Sequence, residues 1–181
     1  MLVNAGGRQF EKAPTGTYSA VFADYVDLGD VKVVFKGKEK IQKKVRLVWI
    51  LDAKDKNGEY YQVIQQVSQS MFHKGTQKAR LYDIVQSVLL GKDPMGNGAK
   101  AFEMEELIGR NNEIFIQQEE SNGTIYANIK AIMPPKAKFA VPASFVRAKD
   151  RDTSSTQNVG NSTQASTGPV AAEVADEEIP F

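Results

Sequence analysis

From Thr15 onward, apolar and polar positions alternate with a period of two, the pattern of strands that bury one face. Residues 17–26 (Thr-Tyr-Ser-Ala-Val-Phe-Ala-Asp-Tyr-Val) read as a first strand closed by Gly29. Residues 31–35 continue it past a bulge or form a short strand of their own. Residues 45–51 (Val-Arg-Leu-Val-Trp-Ile-Leu) are β-branched and aromatic enough for a strand covered on both faces. Asp55-Lys56-Asn57-Gly58 then turns the chain back into 59–67, and Asn-Gly between two such runs is a strong hairpin signal.

After Ser70 the period changes to 3.6. Leu81, Ile84, Val85, Val88 and Leu89 recur at three- and four-residue steps, with Arg80, Asp83, Gln86 and Ser87 on the opposite side. This predicts a helix over about 76–90, with Thr76 as N-cap, Gly91 at C′ and Pro94 preventing continuation. Residues 94–100 form a loop. Phe102 to Ile108 make a short second helix, with Glu103, Glu105 and Glu106 near its positive N-terminal end and Gly109 stopping it. A last hairpin joins 113–118 to 124–132 through Ser121-Asn122-Gly123, and Pro134-Pro135 ends the sheet. The chain is therefore mainly β with one or two helices. Five strands with a helix between the third and fourth is the order of an OB-fold, a five-stranded Greek-key barrel, here spanning 15–150 behind an N-terminal arm at 1–14.

Composition alters this picture mainly at the C-terminus. From 153 to 168 the chain is almost entirely Ser, Thr, Asn, Gln, Gly and Ala, too polar to offset its ordering entropy, so 151–175 reads as a flexible linker. It leads to Asp176-Glu177-Glu178-Ile179-Pro180-Phe181, three acids followed by an apolar end. Charge divides the same way: residues 1–150 hold 22 Lys+Arg against 17 Asp+Glu, whereas 151–181 hold one Arg against five acids. A mildly basic body carries an acidic tail. The absence of cysteine excludes disulfides and thiolate zinc sites, and a single His73 argues against a histidine metal site or triad. With no long apolar run and no apolar signal core, a soluble, cytoplasmic protein is expected.

Candidate chemistry centres on the segment between the first two long strands. Lys36, Lys38, Lys40, Lys43 and Lys44, against the one acid Glu39, read as a basic loop. Such loops are most often solvated, but in an OB-fold this connection is one that grips oligonucleotides. Arg46, Phe35, Trp49, Tyr60 and Tyr61 lie beside it, and single-stranded nucleic acid needs both cations for phosphates and rings for unpaired bases. Strand alternation places Trp49 with Val45, Leu47 and Leu51, so Trp49 is a core residue or a stacking platform; Tyr60 and Tyr61 point to opposite sides, so that only one of them should be core. His73 reads as a polar residue before the helix. Glu103, Glu105 and Glu106 are explained by a helix dipole more simply than by a metal, and Gly96-Asn97-Gly98 lacks the context of a phosphate loop.

The element order, the Ser/Thr/Gln/Gly linker and the acidic end closing on Ile-Pro-Phe resemble the bacterial and bacteriophage single-stranded DNA-binding proteins. The terminal hexapeptide is similar to the bacterial tip, differing in which acid fills two positions, while the longer body resembles the divergent phage proteins. The resemblance implies a barrel that coats single strands in replication, recombination and repair. It also implies a tip, Asp176, Glu177, Glu178, Ile179, Pro180 and Phe181, that recruits partner proteins. Acids would draw the tip to a basic rim while Ile179 and Phe181 fill an apolar pocket. No cofactor and no catalysis are expected, since a nuclease would want clustered carboxylates around a metal. The competing reading is an adaptor whose barrel binds protein and no nucleic acid. Oligomeric state and the choice between DNA and RNA stay open at the level of sequence.

Overall fold

The computed structural model describes residues 11–154; the first ten residues, most of the expected linker and the 176–181 tip lie outside the described residues. In chain order come β1 (Gly16–Phe35), β2 (Lys38–Lys54), β3 (Tyr60–Ser68), the short β4 (His73–Lys74) and β5 (Gln77–Lys78), α1 (Arg80–Val88), β6 (Asn111–Ser121), β7 (Thr124–Met133) and α2 (Ala148–Ser154). The protein is mainly β. Its five long strands form one antiparallel sheet in the order β3-β2-β1-β6-β7. The outermost strands, β3 and β7, approach within 8 Å Cα–Cα, and no ladder joins them among the described residues. No described helix is long and apolar enough to cross a membrane.

The segment 31–35 proves to be the end of β1. Register shifts between Phe22 and Asp24 and between Asp27 and Gly29 mark two bulges, so this long strand bends and keeps pairing with β2 to its tip. The basic segment 36–44 is correspondingly not a loop. Lys36 and Gly37 (φ 51° and 75°) form a two-residue turn with both central residues left-handed, and Phe35 already pairs with Lys38. Lys38 to Lys44 belong to β2. Asn122-Gly123 (φ 51° and 74°) makes the same kind of turn between β6 and β7, as the sequence led one to expect, though both strands run longer. At Asp55 the turn is closed by the carboxylate, whose Oδ1 accepts the N–H groups of Asn57 (2.8 Å) and Glu59 (3.0 Å).

The helix also starts later than its period suggested. Thr76 is not an N-cap; with Gly75 (φ 59°) it turns the β4–β5 hairpin, and the N-cap is Ala79, which makes no side-chain capping bond. At the other end the C′ residue is Leu90 (φ 58°), and Gly91 (φ 84°), also left-handed, follows it at C″. Leu90 N–H donates to Ser87 O (3.1 Å) and Gly91 N–H to Gln86 O (2.8 Å), the two bonds of a Schellman ending. The expected second helix is a single 3₁₀ turn, Met104–Leu107, that buries Leu107.

Two apolar layers hold the sheet. On its inner face Phe22, Leu47, Trp49, Leu51, Ile114 and Ile116 meet Leu81, Ile84, Val85 and Val88 of α1. The outer face carries a smaller layer that sequence periodicity did not reveal. After Pro134-Pro135 the chain folds back as a strap, and Phe139, Val141 and Phe145 cover Val21, Ala23 and Ile50. The strap is pinned at its start, where Phe139 N–H donates to Asn111 Oδ1 (2.6 Å), and more firmly at Arg147.

Candidate nucleic-acid interface

Within its pairing with β1, β2 contains no bulge, so its residues alternate strictly between faces from Lys38 to Leu51. Lys38, Lys40, Lys44 and Arg46 therefore share the outer face with Val48 and Ile50. Lys43 projects to the inner side with Ile41 and Glu39, opposite Asp30 across the ladder. Lys36 stands in the turn. One cationic cluster in the sequence is thus divided by the pleat, and three of its five lysines join Arg46 in a line.

β3 widens this line into a surface. Its register sets Ser68 beside Lys44, Gln66 beside Arg46, Ile64 beside Val48 and Gln62 beside Ile50. Ile64 is half exposed (51%) and Gln66 is exposed, so the strap leaves the β3 side of this face uncovered, while Val48 beside Ile64 is buried. Lys38, Lys40, Lys44 and Arg46 have no carboxylate within 4.0 Å among the described residues, and Arg46 Nε is buried without a hydrogen-bond partner. From Lys38 to Arg46 the cationic row spans about 27 Å at strand rise. Beyond Lys44, no third strand pairs with β2 among the described residues. The β1–β2 ribbon stands out with Val34 and Ile41, 74% and 64% exposed, on its other face.

The aromatic candidates separate. Trp49 is fully buried, edge-on to Phe22 at 5.1 Å and 88°, which settles it as core and removes it as a stacking platform. Tyr61 is half-buried against the inner core. Tyr60 is half-buried on the outer face, with Phe139 5.3 Å away and Lys54 Nζ 4.7 Å from its ring centre. Both tyrosines are thus partly covered, on opposite faces, where only one had been expected to pack. Phe35 closes the ladder opposite Lys38. Gln62, Gln66, Ile64 and Phe145 were not singled out from sequence. The first three follow from the β3 register once Arg46 is placed, whereas Phe145 depends on a strap with no periodic signal.

Of the acids at 103–106, Glu105 has a different purpose from the one read in sequence, since a four-residue 3₁₀ turn has little dipole to complement. Arg147 reaches Glu105 with both terminal nitrogens and donates from Nε to Asp24 Oδ1 (3.0 Å). Asp24, buried on the outer face, also accepts the N–H groups of Ala148 (2.7 Å) and Tyr25 (2.9 Å). The Arg147 guanidinium, followed by Lys149, holds the Glu105 carboxyl down to about 2, and Glu105 in turn raises Arg147. Burial pushes the Tyr25 phenol up, aided by its hydrogen bond to Glu105 (3.1 Å). This network anchors the strap. His73 belongs to β4 and stacks on Tyr82 at 4.5 Å and 13°. Among the described residues no three His, Asp or Glu side chains are grouped so as to hold a metal.

No protein-family model and no curated protein sequence matches the chain, so the nature of this surface has to be argued from its own geometry.

Proposed function

We infer that the protein binds single-stranded DNA without sequence dependence, its phosphates lying along Lys38, Lys40, Lys44 and Arg46, and that it acts by coating rather than by turnover. The observation that carries this reading is the row itself: four cations on one face of an unbroken strand, interrupted only by Gln42 and none neutralised by an acid among the described residues, beside a surface of Gln and exposed Ile. A row of unpaired cations suits a phosphate backbone, and amide and apolar groups beside it suit unstacked bases. The strand order, with α1 between the third and fourth long strands, supports an OB-type Greek-key barrel, whose ligands lie on the outer surface of its second and third strands. The length of the row fits the roughly 4–16 nucleotides that such folds occupy. The terminal residues 176–181 complete the reading as the segment that captures replication and recombination proteins.

The test is fluorescence anisotropy with labelled oligo-dT, oligo-U and duplex DNA across a range of salt. Four neutralised phosphates predict a log–log slope of about −3 with oligo-dT and weaker binding to duplex. A flat salt response overturns the reading. A second reading, an adaptor that docks protein, draws on the exposed Val34 and Ile41 of the ribbon. It predicts no oligonucleotide binding at any salt.

A further inference from the structure

Beyond Arg46 and Val48 the outer face ends in a hollow of about 200 Å³, where the strap crosses β2 and β3. Tyr60 and Phe145 supply rings to its lining, and Glu59, Gln62 and Ser144 supply polar groups. Arg151 stands at the lining with its guanidinium 6.0 Å from the Phe145 ring centre. The polar groups are unspent. The Gln62 amide and the hydroxyls of Tyr60 and Ser144 make no hydrogen bond among the described residues, and Glu59 has no cation within 4.0 Å there.

An apolar side chain entering this hollow would strand those groups, at the cost of leaving desolvated donors and acceptors unpaired. A phosphate would meet the like charge of Glu59 as well as the cation of Arg151, so the lining offers it no net positive charge. A small flat heteroaromatic group with N–H donors along one edge satisfies both constraints, because its faces lie against rings while a carboxylate, which only accepts, receives the N–H groups. The hollow continues the face that carries the four cations, so a strand running along Lys44 and Arg46 delivers such a group to it.

We propose that this hollow receives one unstacked nucleobase of the bound DNA strand, and that Glu59 and Gln62 there select guanine over thymine. The inference rests on the single-strand reading and sharpens it. Guanine presents N1–H and its 2-amino group side by side, a pair a carboxylate can accept together. Thymine presents one N3–H between two carbonyl oxygens, which face the carboxylate with like polarity. Selection at this one position adds a modest preference to binding that is elsewhere indifferent to sequence.

The experiment compares oligo-dT with alternating dT-dG and dT-dI oligomers of equal length, and with alternating rU-rG, for the full chain and for Glu59→Gln, Gln62→Ala and Phe145→Leu. The expected result is a dT-dG preference of about tenfold over oligo-dT, the size of one good bidentate base contact. Inosine, which lacks the 2-amino group, should fall between. Glu59→Gln and Gln62→Ala should bring the dT-dG to dT ratio toward one, and Phe145→Leu should weaken dT-dG several-fold; unfolding followed by Trp49 emission confirms that each variant is folded. Equal binding of oligo-dT and dT-dG overturns the proposal, as does a preference that survives Glu59→Gln or one confined to the ribo-oligomer. Failure of every oligomer to bind would instead remove the single-strand reading, whereas equal and salt-sensitive binding of all of them removes the hollow alone.

Discussion

β2 carries two different surfaces on the same outer side. Toward Ile50 that side is apolar and covered, with Val21, Ala23 and Ile50 lying under Phe139, Val141 and Phe145, and it opens only at the hollow between Tyr60, Gln62 and Phe145. Toward Lys38 it is cationic and open, and nothing from the strap crosses it. Both halves obey the same alternation, so the pleat alone cannot tell them apart. What separates them is where the strap is fastened: Arg147 meets Asp24 and Glu105, and Phe139 meets Asn111, all on the Ile50 side. An anchored segment turns one half into core and leaves the other free to take a ligand.

Breaking the anchor should have the largest effect. The Arg147–Asp24 pair is almost fully buried (side chains 16% and 3% exposed), so Arg147→Ala leaves a buried carboxylate short of its cation. Loss of about 3 kcal/mol is expected, read by urea unfolding with the buried Trp49 as reporter. Next in size, Lys40→Glu with Lys44→Glu should weaken oligo-dT at least about thirtyfold and flatten the salt slope by about 1.5, while the unfolding midpoint stays near that of the wild type.

Acid acts on the strap's anchor through Glu105. The Glu105 carboxyl is held at about 2, below its ordinary 4.5, so its contribution is complete above pH 4.5 and is lost as the pH falls toward 2. The stability gap between wild type and Glu105→Gln should therefore close across that window, as followed by urea midpoints at successive pH values. A smaller effect is expected at the ribbon's tip. Gly37 sits at φ 75°, and Gly37→Ala should cost about 1 kcal/mol locally. The tip should then show faster amide exchange, while the covered half exchanges as before.

How much of this was legible depended on the range of the cause. The Asn122-Gly123 turn and the apolar stripe of α1 are local, and the sequence shows both. Lys36-Gly37 forms the same turn without asparagine, which made a strand look like a loop, and with it went the parity that divides Lys43 from Lys40. Thr76 looked like a cap, yet Gly75 before it made a hairpin turn instead. The strap was out of reach for another reason. Phe139, Val141 and Phe145 follow no period and are held by Asn111 and Asp24, the latter 123 positions from Arg147 along the chain. The same distance hid the hollow at Tyr60.

The central claim is that the outer face of β2, rather than positive charge in general, is where the strand binds. Lys40→Glu and Lys43→Glu change the net charge equally and lie three residues apart, on opposite faces. Oligo-dT affinity measured for the two at the same salt tests the claim most directly. Lys40→Glu should lose about tenfold and reduce the salt slope by about 0.7, with Lys43→Glu staying within about twofold of the wild type. Equal losses in both would mean that the pleat does not sort these cations and that the interface has been placed wrongly.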